Sequence, residues 1–255
     1  MRFFLELSYK GGSYSGFQVQ QNAHTVQAEV ENKMAVLLRE RIELTGSSRT
    51  DAGVHAFQNY FHFDLAFPLE KYGLRGENEM VYKMNALLPE DIAVRSLRKV
   101  REDAHCRFDA VYREYNYYLS RVKNPFVKDR SWHFPYPLNM EKLQAAAAML
   151  KGYDDFTSFS KRNTQAKTFR CRISCSEWRE KGSLLIYKVR SDRFLRGMVR
   201  ALTASMLDVG KGRTSLAEFR SIIETKDCTR ANFAAPPQGL FLLKVAYPEG
   251  YFQQG

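Results

Sequence analysis

Residues 45–56 read TGSSRTDAGVHA and join a short run, Ile42-Glu43-Leu44, to a longer one that ends near Leu65. Both runs read as β, the second with Phe61, Phe63 and Leu65 on one face. A turn between strands calls for glycine, and Gly53 supplies it after Asp51-Ala52. It does not call for Arg49, nor for the flanking Ser47-Ser48 and Val54-His55. Taken alone, Asp51 fits an Asx-type turn, a commoner role for a loop aspartate than catalysis. A Walker-type phosphate loop does not fit, because the spacing and its lysine are missing. No second acid is placed to complete a two-carboxylate hydrolase.

Outward from this stretch, strands and helices alternate. Residues 3–9 read as a strand, followed by a Gly11-Gly12 break. Thr25 caps a predicted helix through about Arg41, with Val26, Val30, Met34, Leu37 and Leu38 as its apolar stripe. Residues 77–88 read as a helix stopped by Pro89, and 92–100 as a strand. The second half opens with a predicted strand over 108–122 and a helix over 138–151. A hairpin turning near Lys181-Gly182, helices over 193–208 and 215–225, and a strand over 239–247 complete it. The order predicts an α+β fold of two α/β halves, 1–104 and 105–255, with mixed or antiparallel sheets. The strand-rich pairs at 42–65 and 169–190 argue against a purely parallel layout.

The chain has 255 residues, with 39 Lys plus Arg against 28 Asp plus Glu, a net charge of +11. Such a balance favours a polyanionic partner, because basic side chains release counterions from phosphates. Residues 161–172, KRNTQAKTFRCR, carry Lys161, Arg162, Lys167, Arg170 and Arg172 with no acid among them. Arg193, Arg196 and Arg200 recur at helical spacing beside the stripe Leu195, Met198, Val199, Leu202 and Met206. At the margin of that stripe, Arg200 is placed to bury its stem and pair its head with an anion. Arg113, Tyr115 and Tyr117 share one face of their strand. A tyrosine beside a cationic groove stacks on an extruded base as readily as it fills a core. No targeting signal or membrane-length apolar run is visible, which predicts a cytoplasmic protein. Cys106, Cys171, Cys175 and Cys228 include no C-x-x-C pair, so reduced thiols and no metal are expected.

Six segments together resemble the TruA family of tRNA pseudouridine synthases. GSSRTDAGVHA (46–56) looks like the family's G-x-G-R-T-D-x-G-V-H-A signature, and NALLPEDIAV (85–94) like its N-x-x-L-P-x-D-I segment. HCRFDAVYREYNYYL (105–119), GYDDFTSF (152–159), FLRGMVRAL (194–202) and APPQGLFLLKVAYP (235–248) follow in the family's order. The resemblance implies isomerisation of uridine to pseudouridine in the tRNA anticodon arm, at uridines 38 to 40. It implies no cofactor and no metal, a homodimer, and two RRM-like halves sharing a central sheet with a cleft between them. Asp51 matches the family's catalytic aspartate, Arg200 its arginine partner, and Tyr115 the tyrosine that stacks on the target base. Leu240 matches an apolar wall of the pocket, and Arg49 is placed to hold the flipped strand. Arg113, on the face of Tyr115, and Arg196, beside Arg200, are expected to bind substrate. A protein keeping the fold to bind RNA without chemistry would have no need of Asp51. Ser48 departs from the family's glycine, and Asn232-Phe233-Ala234 from its usual Gly and Thr.

Overall fold

The computed structural model describes residues 1–162, 164 and 166–253. Among them nine strands and five α-helices make an α+β fold on a mixed sheet. The chain forms two compact units: Met1–Val111 together with the segment from Leu242 onward, and Tyr112–Phe241. The sequence reading places the division at 104/105 and leaves the C-terminal strand in the second half; the packing divides the chain at 111/112 and gives that segment to the first unit.

The first unit contains β1 (Arg2–Tyr9), α1 (Val26–Leu38), β2 (Thr45–Gly46), β3 (His55–Asp64), α2 (Glu77–Leu87) and β4 (Ile92–Val100). β1 runs antiparallel to β3 on one side and β4 on the other. It is covered on both faces, which explains the unbroken Phe3-Phe4-Leu5 where a half-exposed strand alternates. The ring of Phe4 meets Tyr247 at 5.5 Å, Tyr251 at 5.8 Å and Phe252 at 6.0 Å, so the C-terminal segment covers that face. Thr25 caps α1, its Oγ1 accepting from Ala28 N at 3.2 Å, and Arg39 ends it at φ 58°. Val26, Val30, Met34 and Leu38 are its buried stripe.

The predicted strand at 42–44 is absent, and of the stretch from 42 to 46 only Thr45–Gly46 pairs with β3. Ile42 and Leu44 are nonetheless buried. Side chains of α1 replace the missing strand partner: Glu31 Oε1 accepts from Leu44 N at 3.0 Å, and Gln27 Nε2 donates to Leu44 O at 2.7 Å. These bonds satisfy main-chain groups that burial would otherwise strand.

The second unit contains β5 (Tyr112–Ser120), β6 (Trp132–His133), α3 (Met140–Met149), β7 (Ile173–Lys181), β8 (Leu184–Ser191), α4 (Met198–Gly210) and α5 (Leu216–Glu224). β8 runs antiparallel to both β5 and β7, while β6 joins β5 in parallel. Gly182, at φ 58°, turns the β7–β8 hairpin at the expected place. α4 packs against α3, α5 and β5 and is buried on nearly every side. β9 (Leu240–Ala246) carries the chain out of the second unit and back into the first.

Two expectations change here. α4 starts at Met198 and not at 193, because Gly197 adopts φ 75° immediately before it. A Cβ at Gly197 would also press on the Lys161 side chain at 3.1 Å. Arg193 and Arg196 therefore precede the helix, and the three arginines form no helical stripe. β5 starts at Tyr112, since 105–109 fold as a turn. In the basic segment, Asp154 pairs with Arg170 at 3.0 Å and Asp192 Oδ1 accepts from Arg172 N at 2.8 Å. Asn163 and Gln165 of that segment lie outside the described residues. No helix among the described residues is long and apolar enough to cross a membrane.

Candidate active site

In the first unit, the loop between β2 and β3 is held from beneath on both sides of Arg49. Ser47 is buried, with its N donating to Tyr60 O at 2.8 Å and its Oγ to Asn59 Oδ1 at 2.7 Å. Asn59 Nδ2 donates in turn to Ser48 O at 2.9 Å. Thr50 is buried, its Oγ1 2.8 Å from the Tyr9 hydroxyl and its carbonyl accepting from Phe17 N at 3.1 Å. Asp51 O accepts from Val54 N at 3.1 Å, closing a turn in which Gly53 takes φ 76°. Two close backbone approaches complete the support. Gly16 passes Thr50 O, and Gly11 passes Val54 so closely that a Cβ would stand 2.0 Å from its carbonyl oxygen. Asp51 is thus half-buried on a backbone hydrogen-bonded at Thr50, Gly53 and Val54, while Arg49 is exposed.

Ser48 departs from the family pattern without strain. Among the described residues, positive φ outside glycine occurs only at Asn22, Arg39 and Lys226, so position 48 needs no glycine. Its hydroxyl is buried without a hydrogen-bond partner among the described residues.

In the second unit, Arg113 and Tyr115 are both buried on β5. Arg113 Nη1 donates to Asp192 O at 2.9 Å. Phe194 packs edge-on against the Tyr115 ring at 5.0 Å and 82°. Between them Glu114 is ion-paired with Arg190 at 2.6 Å and Lys188 at 3.1 Å. Burial opposes its ionisation, yet the two cations hold its carboxyl below the usual carboxylate range. Tyr117 is fully buried, and burial pushes its phenol well above the ordinary tyrosine range.

Arg200 sits in the first turn of α4, half-buried, and its Nε donates to Ala235 O at 2.6 Å. Tyr117 Oη donates to the next carbonyl, Pro236 O, at 2.7 Å. The Asn232 departure is a stitch into the same segment: its Nδ2 donates to Asp208 at 2.7 Å and its N to Ser205 Oγ at 3.0 Å. Its Oδ1 accepts from Ala234 N at 2.8 Å. The segment then passes Gly239, where a Cβ would collide with the Tyr117 ring at 2.8 Å, and delivers the buried Leu240. Arg196 is exposed, and its carbonyl accepts from Lys161 N at 3.0 Å. Asp51 and Arg49 thus belong to the first unit, and Arg113, Tyr115, Arg196, Arg200 and Leu240 to the second. The supports Tyr9 and Asn59 carry no signal of their own in a single sequence.

Metal-capable atoms also converge at one place that residue spacing conceals. His62, His105 and Cys106 bring ligand atoms within 4.8 Å of one another in the first unit. Those atoms have internal work: the Cys106 thiol donates to Thr45 O at 3.1 Å, and Cys106 N to His62 Nδ1 at 3.4 Å. His105 Nδ1 accepts from Arg107 N at 3.1 Å and from Phe108 N at 3.4 Å. Burial, then the neighbouring His105 and Arg2, push the His62 imidazole down to about 4. A neutral ring suits its acceptor role toward Cys106 N.

Comparison with known proteins gives the class, that of RNA-modifying synthases. The family described as tRNA pseudouridine synthase matches residues 7–109 and 146–248. A tRNA pseudouridine synthase A of Parabacteroides distasonis is 41% identical over 251 residues, covering 98% of each chain. One of Bacteroides fragilis is 41% identical, covering 99% of this chain and 98% of its own. One of Staphylococcus aureus is 36% identical, covering 98% and 93%. The chain belongs to the tRNA pseudouridine synthase family.

Proposed function

We propose that the protein isomerises uridine to pseudouridine in tRNA, at uridines 38 to 40 of the anticodon arm, as a homodimer in the cytoplasm. The reaction breaks the N1–C1′ glycosidic bond, turns the uracil, and joins C5 to C1′. The C5 proton leaves to solvent and N1 gains one, so the change is redox-neutral. Asp51 supplies the carboxylate at the sugar–base junction. It removes the C2′ proton as the N1–C1′ bond breaks to give a glycal, and returns that proton to C2′ as C5 joins C1′. Tyr115 presents its ring to the uracil, Arg200 presents its guanidinium to the carboxylate, and Leu240 supplies an apolar wall. Arg49, Arg113 and Arg196 meet the RNA. The target base must first leave the helix, at a cost of a few kcal/mol.

The observation that carries this reading is the bracing of Thr50 and Asp51. Thr50 is buried and bonded through both hydroxyl and carbonyl, which leaves Asp51 little conformational freedom. A surface turn needs no such support; a group that must meet a reacting atom does. The test is release of tritium from 5-tritiated uridine in unmodified tRNA. Wild type releases label and Asp51→Asn does not, while still binding tRNA. Absence of release from any tRNA defeats the enzyme reading; full release by Asp51→Asn defeats the site assignment. Sedimentation of the free protein reads the homodimer.

A further inference from the structure

An exposed aromatic ring on a rigid turn needs an explanation that packing does not give. Phe108 is 74% exposed, although a large apolar side chain in water gains nothing by being there. The turn that presents it is tightly made. His105 Nδ1 accepts from both Arg107 N and Phe108 N, and Asp109 Oδ2 accepts from His105 N at 2.9 Å and from Tyr251 Oη at 2.5 Å. The His105 ring lies against Phe108 with centroids 4.2 Å apart, and the Arg107 guanidinium stands 5.7 Å from the Phe108 ring.

Phe108, Arg107 and Arg49 line a surface pocket together with Thr45 and Gly46. Gly46 is required there, since a Cβ would meet the Phe17 ring at 2.3 Å. No carboxylate lines the pocket, and Arg49 and Arg107 are both exposed. A flat ring beside two cations matches a nucleotide: a π-face for the base and positive charge for the phosphate. The Gln27 amide in the wall is already engaged with Leu44 O and Glu31.

We infer that this pocket clamps a nucleotide of the RNA other than the target, its base stacked on Phe108 and its phosphate held by Arg49 and Arg107. The inference rests on the tRNA reading above and assigns Phe108 and Arg107 a role in positioning substrate. Arg49, two residues before Asp51, joins this grip to the braced loop.

The test measures binding of an unmodified tRNA transcript over a range of salt concentrations, with melting curves confirming the fold. Phe108→Ala weakens binding roughly 5- to 150-fold, the equivalent of about 1–3 kcal/mol, with an unchanged salt slope. Phe108→Trp retains affinity and Phe108→Leu behaves like Phe108→Ala, because stacking needs a ring. Arg107→Ala lowers the slope of log K against log salt by about 0.7–0.9, the signature of one lost phosphate contact. Wild-type affinity in Phe108→Ala or Phe108→Leu, or an unchanged slope in Arg107→Ala, overturns the clamp. The clamp and the isomerase reading fail separately. Ring-dependent binding by a wild type that releases no tritium defeats only the enzyme, and normal release with ring-independent binding defeats only the clamp.

Discussion

The hydroxyls of Tyr9 and Thr50 lie 2.8 Å apart, so the residue preceding Asp51 is moored to the end of β1. Asn59 Nδ2 donates to the same Tyr9 oxygen at 3.2 Å, and all three side chains are buried. Tyr9→Phe removes the shared atom and leaves Thr50 Oγ1 without this partner. The expected stability loss is about 1–2 kcal/mol, read from denaturant midpoints. Turnover in a single-turnover tritium assay falls more than tRNA affinity, because the lost bond orients a loop and does not grip RNA.

Arg200 donates from Nε to Ala235 O, and lysine has no equivalent branched donor. Arg200→Lys keeps the charge but loses the fork. Turnover drops at least tenfold, about 1.4 kcal/mol in barrier, with tRNA affinity little changed. A variant that binds weakly yet turns over normally counts against the role given to Arg200.

Ser48 buries a hydroxyl with no hydrogen-bond partner among the described residues. Ser48→Ala deletes that oxygen and keeps the Asn59 bond to the main-chain carbonyl. The expected outcome is a gain of about 1 kcal/mol, seen as a raised denaturation midpoint. A loss of stability would mean that the hydroxyl is satisfied in solution.

His62 gives the protein an acid-sensitive term. Its pKa is depressed to about 4 when folded, chiefly by burial, against the ordinary value near 6.5 when unfolded. Between those limits the unfolded chain binds a proton that the folded chain refuses, so stability is full above about 6.5 and falls toward pH 4. Melting temperatures across that window decline in wild type and decline less in His62→Asn.

Local elements were the legible part of this chain. Thr25 announced its helix by cap chemistry, Gly182 its hairpin, and Pro89 the end of α2, because each acts through its immediate neighbours. Two misreadings share a cause. The apolar spacing around 193–208 is real, since Leu195, Met198, Val199, Leu202 and Met206 are all buried, but a periodic pattern cannot show that Gly197 turns left-handed within it. Likewise Ile42 and Leu44 are buried as a strand's would be, yet their main-chain bonds go to α1 side chains. Of the site, residues 45–56 showed an aspartate without a turn's excuse for its neighbours. Spacing marks Arg200 as the partner of an anion and sets Tyr115 beside Arg113 on one strand face. The catalytic roles of both and the place of Leu240 come from the family resemblance. Tyr9 and Asn59, remote in the chain, gave no sign that they brace the loop.

The return of the chain from Leu242 into the first unit has a bearing on biosynthesis. Phe4 and Tyr60 wait for Tyr247 and Phe252 to cover them, and those residues follow the whole of the second unit. At typical translation speeds the delay is on the order of ten seconds. For that interval the nascent N-terminal portion exposes an aromatic sheet face, a natural client for chaperones that shield apolar surface. The later unit, Tyr112–Phe241, is continuous in sequence, whereas the earlier one is completed only when the segment from Leu242 onward has been made.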